Sequence, residues 1–183
     1  FLDPAQSDTP EAAGAHLAET VERVVRGLAF LDTDELGAAQ ARLELPYRPL
    51  DELEQGTDRL VNVFRSLIQR GWYDHSLEVL RELHARASGE TAVLQALRIG
   101  QAFFPALPGE IFNEHGLRIK RESGLRHTWP VSLANGWHGY IPTRAAFDRR
   151  GGHETTLALW SKMAPDAGDR MADQALALLR TLR

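Results

Sequence analysis

The sequence predicts an α/β fold, a layered sheet-and-helix domain, and three observations carry that prediction. A strict two-residue alternation of apolar and polar side chains surrounds Ala41. Apolar residues recur at helical spacing near both ends of the chain. Between them, short strand-like runs alternate with helix-like runs, the pattern expected of helices layered on a sheet.

After an irregular lead-in from Phe1 to Ser7, Thr9 supplies a capping hydroxyl. Pro10 follows at the first helical position, where a missing N–H costs nothing, and Glu11 favours the positive end of the helix dipole. Leu17, Val21, Val24 and Leu28 then mark an amphipathic helix ending near Ala29. Ala39, Ala41, Leu43, Leu45 and Tyr47 alternate with Gln40, Arg42, Glu44 and Arg48, which predicts a half-buried strand. Pro46 cannot donate to a ladder, so this strand belongs at an edge or ends there. The segment Asp51 to Thr57 reads as a flexible loop.

Two helices follow, one through Leu60, Phe64, Leu67 and Ile68 that stops at Gly71, the other through Leu77, Leu80 and Leu83 that stops before Gly89. Val93 to Ile99 and Ala102 to Leu107 read as strands joined by a turn at Gly100-Gln101. Ile111 to Arg121 reads as a short helix, and His127 to Leu133 as a strand. A last helix turns Met171, Ala175, Leu178 and Leu182 inward.

Composition narrows the function. The net charge of -4 and the dispersed arginines exclude a nucleic-acid footprint. The absence of cysteine excludes disulfides, a thiol nucleophile and thiolate metal sites. No apolar run approaches the roughly 20 residues needed to cross a bilayer, which predicts a soluble chain without fixing its compartment. Phe1 in place of a methionine, with no signal-like stretch, suggests that the true start lies upstream. Neither a nucleophile elbow nor a glycine-rich phosphate loop is present.

Candidate chemistry gathers between Pro108 and Glu154. Glu110 follows a strand and the Pro108-Gly109 pair, beyond a strand's carboxyl end, where open sheets bind ligands. It could equally sit in the first turn of the next helix and favour its dipole. Tyr140 lies in a second such loop, between Gly139 and Ile141-Pro142-Thr143. Its phenol could bind a cation as phenolate, donate to a developing oxyanion, or simply pack its ring under the loop. His138 and His153 lie in glycine-containing loops near it, and His115 stands one helical turn beyond Glu110. Asn135 could bind substrate through its amide or stabilise its own loop. Trp137 is a pocket wall or a buried ring, and His16, His75, His84 and His127 read as ordinary polar residues of regular structure.

Pro108-Gly109-Glu110-Ile111-Phe112, Leu133-Ala134-Asn135, Gly139-Tyr140-Ile141-Pro142-Thr143 and Gly151-Gly152-His153-Glu154, in this order, resemble the neutral/alkaline (non-lysosomal) ceramidase family, in particular its bacterial members. The resemblance is strongest from Gln101 to Glu154. It implies a zinc-dependent amidohydrolase that cleaves the amide of N-acyl sphingoid bases. It also implies that the chain is the C-terminal half of a larger catalytic domain. By resemblance, Glu110 and Tyr140 are two zinc ligands. Two histidine ligands would come from an upstream part of the same polypeptide, or from a partner chain. Tyr140 and His138 become the candidate catalytic groups, with His115, Asn135 and His153 supporting the ligands. His153 stands where the family's Gly-Gly-Tyr-Glu element carries tyrosine, and the spacing from Glu110 to Tyr140 is shorter than in ceramidases. The expected substrate is a small-molecule or lipid-like amide. An esterase or other amidase on the same scaffold, or a non-catalytic partner-binding subunit, are the alternatives.

Overall fold

A computed structural model describes residues 9–29, 33–51, 70–149 and 152–183. The chain forms two compact units, Phe1–Thr33 and Asp34–Arg183. The expected lead-in, the expected helix through Leu60 and Ile68, and the expected loop beyond Asp51 lie outside the described residues.

The first unit holds helix α1, Pro10–Arg26, capped as the sequence predicts: the Thr9 hydroxyl accepts the Ala12 N–H at 3.2 Å. The helix ends at Arg26 rather than Ala29, with Gly27 closing it onto the Val24 carbonyl.

The second unit is an α/β layered domain. Strand β1, Leu36–Pro46, pairs antiparallel with β2, Gly89–Ile99, which pairs antiparallel with β3, Ala102–Ala106. Strand β5, His127–Thr128, adds in parallel to β3, giving the order β1-β2-β3-β5. The alternation in β1 is reproduced in its burial, and β1 ends at Pro46 on one edge of the sheet, as its proline requires. Gly100 bends the β2–β3 turn with φ 56°, a torsion that glycine adopts without penalty.

One face of the sheet is covered by helix α5, Ala167–Thr181. Its Met171, Ala175, Leu178 and Leu179 pack with Leu45, Ala92, Leu94, Ala96 and Phe103 in the main core. The opposite face carries polar cross-strand pairs, Gln40 with Gln95 and Glu44 with Thr91. Burial on one face only is what makes a strand alternate, so β1 was readable from sequence.

Three expectations need correction. Gly71 does not stop a helix: it lies in the first turn of α2, Arg70–Arg86. Buried Tyr73, Leu77 and Leu80 hold this helix in place and outweigh glycine's cost of roughly 1 kcal/mol. Ile111 is not helical but belongs to a short strand β4, Glu110–Ile111, and helix α3 spans Asn113–Ser123. The strand expected from His127 to Leu133 shortens to β5 plus a single bridge from Val131 to Ala106, because Pro130 interrupts it and Leu133 turns with φ 56°.

His84 of α2 packs at a tilt against Tyr47, ring centroids 4.9 Å and planes 38° apart, and its buried Nε2 finds no hydrogen-bond partner among the described residues. Burial pushes its pKa below the usual value. A histidine whose folded pKa lies below its unfolded one stabilises the fold above the unfolded value, about 6.5, and that contribution fades as pH falls through it. The thermal midpoint is therefore expected to fall between pH 7 and pH 5, less steeply in His84→Phe. Parallel melting curves for the two proteins across that range would refute this.

Candidate functional site

Chain geometry sets Glu110 beside Tyr140. Strand β4 pairs in parallel with β6, Tyr140–Ile141, in a register that places Glu110 opposite Tyr140 and Ile111 opposite Ile141. The Glu110 N–H donates to the Gly139 carbonyl at 2.9 Å, and the Phe112 N–H to the Ile141 carbonyl at 3.2 Å. The loop before β6 wraps the Pro108-Gly109 turn: Leu133 N–H reaches the Gly109 carbonyl at 3.0 Å and His138 N–H the Pro108 carbonyl at 3.1 Å. The reading of Glu110 as a first-turn helix residue is thus replaced by a strand position, because its backbone is committed to this ladder.

Gly139 makes the approach possible. Its φ is 86°, and a Cβ there would sit 2.3 Å from the Trp160 carbonyl oxygen. No other residue fits between β6 and that backbone.

The side chains follow the frame. Trp137 Nε1 donates to Glu110 Oε1 at 3.1 Å, although its ring is half exposed. Burial first, then the charge of Glu110, its hydrogen bond and the charge of Glu154, raise the Tyr140 phenol above its usual pKa. The phenol therefore keeps its proton at neutral pH. His153 meets Tyr140 edge-on, 83° between planes at 5.6 Å, and stacks on Trp160 at 4.8 Å. Trp160 in turn stacks on Trp72 at 4.8 Å. His153 is therefore beside Tyr140, held in an aromatic column. Gly151 of the same element lies outside the described residues.

His138 points its Nδ1 elsewhere, to Glu90 Oε2 at 2.6 Å. Glu90 also accepts the Tyr47 hydroxyl at 3.0 Å and pairs with Lys162 Nζ at 3.4 Å. Burial works to raise the Glu90 pKa, but the His138 bond, the Lys162 charge and the Tyr47 bond together bring it below the usual carboxylate value. An ionised carboxylate only accepts, so Nδ1 of His138 carries the proton in this contact and Nε2 holds the ring's lone pair. The Tyr47 phenol is raised to about 12, by burial and by Glu90. Burial lowers Lys162, and Glu90 only partly offsets it.

His115 is 4% exposed; its Nε2 donates to the Pro142 carbonyl at 3.3 Å and its ring presses on Gly168 of α5. It braces the segment after β6 from behind. Asn135 is exposed, with φ 68°, a left-handed turn that asparagine tolerates better than most residues. Sequence reasoning missed Glu90 and Lys162. The available signal was charge in the wrong place: Lys162 interrupts a Trp160-to-Met163 run that is otherwise closed to solvent.

Among the described residues, no group of three or more histidine, aspartate or glutamate side chains could hold a metal ion, and no helix is long and apolar enough to cross a membrane.

No family model and no curated protein sequence matches the chain. Solved structures do. The neutral ceramidase of Pseudomonas aeruginosa matches over 100% of this chain and 35% of its own, with 17% identity and a TM-score of 0.54. A ceramidase complexed with C2 matches 51% of this chain and 15% of its own, with 23% identity and a TM-score of 0.45. The chain thus spans about a third of the length of the Pseudomonas protein, and at this identity the likeness is one of fold: a ceramidase-like α/β architecture.

Proposed function

We propose that this chain is part of a zinc-dependent hydrolase of the neutral ceramidase type, cleaving an amide bond in an N-acyl, lipid-like substrate. The observation that carries the reading is the β4–β6 register, which sets a carboxylate and a phenol opposite each other on adjacent strands. The ceramidase-like fold supports it.

The donor set suits the cation. Glu110 and Tyr140 offer two oxygen donors on adjacent strands, and a divalent cation held by them would favour the phenolate that the neighbouring carboxylate disfavours. Zinc is four-coordinate with nitrogen and oxygen donors, so two imidazoles from a further part of the polypeptide, or from a partner chain, complete the set. When bound, zinc supplies Lewis-acid polarisation of the scissile carbonyl and acidifies water.

The chain's own residues do the rest. Trp137 orients Glu110 through its indole N–H. Glu90 fixes the ring of His138 by Nδ1, leaving Nε2 free to take a proton from the attacking water and hand it to the leaving amine. His153 and Trp160 wall the Tyr140 side and keep water from its ring.

Elemental analysis of the complete protein is expected to find one zinc per chain, together with turnover of an N-acyl amide that stops when a chelator removes the metal. A preparation with no stoichiometric metal, or with turnover indifferent to chelation, would end this reading.

A further inference from the structure

The buried ion pair behind the Trp137 loop needs a reason. Lys162 is 4% exposed and Glu90 only partly so. Burying such a pair rarely stabilises a fold more than apolar residues would, so the geometry it imposes is the informative property. That geometry runs directly toward Glu110. The Lys162 ammonium sits over the Trp137 ring, 5.6 Å from its centroid, within cation–π range. The same indole donates its N–H to Glu110 Oε1 at 3.1 Å. On the other side, Glu90 holds Lys162 at 3.4 Å and the neighbouring His138 at 2.6 Å. One carboxylate therefore anchors both the cation above the indole and the residue next to that indole in the chain.

We propose that Lys162, held by Glu90, is a positioning residue for Glu110: its ammonium polarises the Trp137 indole, strengthens the N–H bond to Oε1, and so fixes the direction in which the carboxylate presents itself. A positive charge on a ring face draws electron density from the ring and makes its N–H a better donor. The carboxylate, pinned at one oxygen, loses rotational freedom before any ligand arrives. The consequence for zinc rests on the proposed function; the polarised indole does not.

The test uses the full chain labelled with ¹⁵N. The Trp137 indole signal is assigned by its loss in Trp137→Phe, with Trp72 and Trp129 as internal references. Lys162→Met replaces the ammonium with an apolar side chain of similar length. It is expected to move the Trp137 indole proton upfield, to leave the reference signals in place, and to weaken binding of zinc alone by about tenfold, the usual cost of losing a group that orients a ligand. An unmoved Trp137 signal overturns the inference, and so does an equal shift of all the indoles, which would signify general repacking.

Should Lys162→Met not fold, Glu90→Gln decides instead. Without its counter-ion a buried ammonium favours the neutral form, so the indole proton should move the same way; no movement overturns the inference. If the wild-type protein takes up no zinc, the proposed function falls while the indole shift still decides this proposal. If zinc binds equally to wild type and Lys162→Met with the indole unmoved, the proposal falls and the function stands.

Discussion

Gly139→Ala is expected to be among the most damaging single substitutions in this protein, costing roughly 3 kcal/mol or more. Two penalties add. An alanine held at φ 86° pays about 1–2 kcal/mol for a backbone region that L-residues avoid. Its Cβ would also lie 2.3 Å from the Trp160 carbonyl oxygen and 2.8 Å from the carbonyl carbon. Backbone cannot swing aside as a flexible side chain does, so relief requires separating β6 from the Leu159–Ser161 turn, at a further 1–3 kcal/mol or so. For a chain of this size the thermal midpoint should fall by about 10 °C. Gly136→Ala is the control. Its φ of 139° is also unusual, but the nearest contact for a new Cβ is Pro108 Cβ at 3.7 Å, ordinary packing distance. It should cost about 1–2 kcal/mol. Equal melting temperatures for the two variants would show that the close approach of β6 to Trp160 is not as described.

The second large effect is on ligand binding. Glu110→Ala is expected to weaken zinc binding by at least about 100-fold, since losing even an outer partner of a metal ligand commonly costs 10–100-fold. Turnover should fall with it. A readout independent of metal accompanies this. Removing the Glu110 charge takes away one of the causes that raise the Tyr140 phenol, so its ionisation should begin at lower pH than in the wild type. The sign follows from charge alone: a neighbouring anion opposes formation of phenolate, and its loss favours it. Titration of the Tyr140 ring by NMR in the metal-free protein measures this directly. A variant that kept full zinc affinity, with Tyr140 titrating as before, would separate Glu110 from the site.

These two substitutions differ in how visible their basis was. The conformational role of the glycines around Tyr140 was foreseeable, because loops that bend sharply use glycine. That Gly139 faces the Trp160 backbone was not, since the contact joins segments with no local signal between them. The adjacency of Glu110 and Tyr140 was expected only through family resemblance. Strands β4 and β6 have two residues each, too short for any alternation to register. Glu110 accordingly read as well as a helix residue as a ligand.

Local chemistry, by contrast, determined much of the scaffold. The Thr9-Pro10 helix start, the alternation along β1, the Gly100 turn and the inward stripe of α5 all follow from neighbouring residues, because each rests on a torsion preference or on burial of one face. What only the tertiary structure decided is where charge ends up. Glu90 and Lys162, far apart in sequence, become partners, with His138 and Tyr47, only when the fold removes their water. Desolvation is a property of the assembled chain, and no pattern of adjacent residues encodes it.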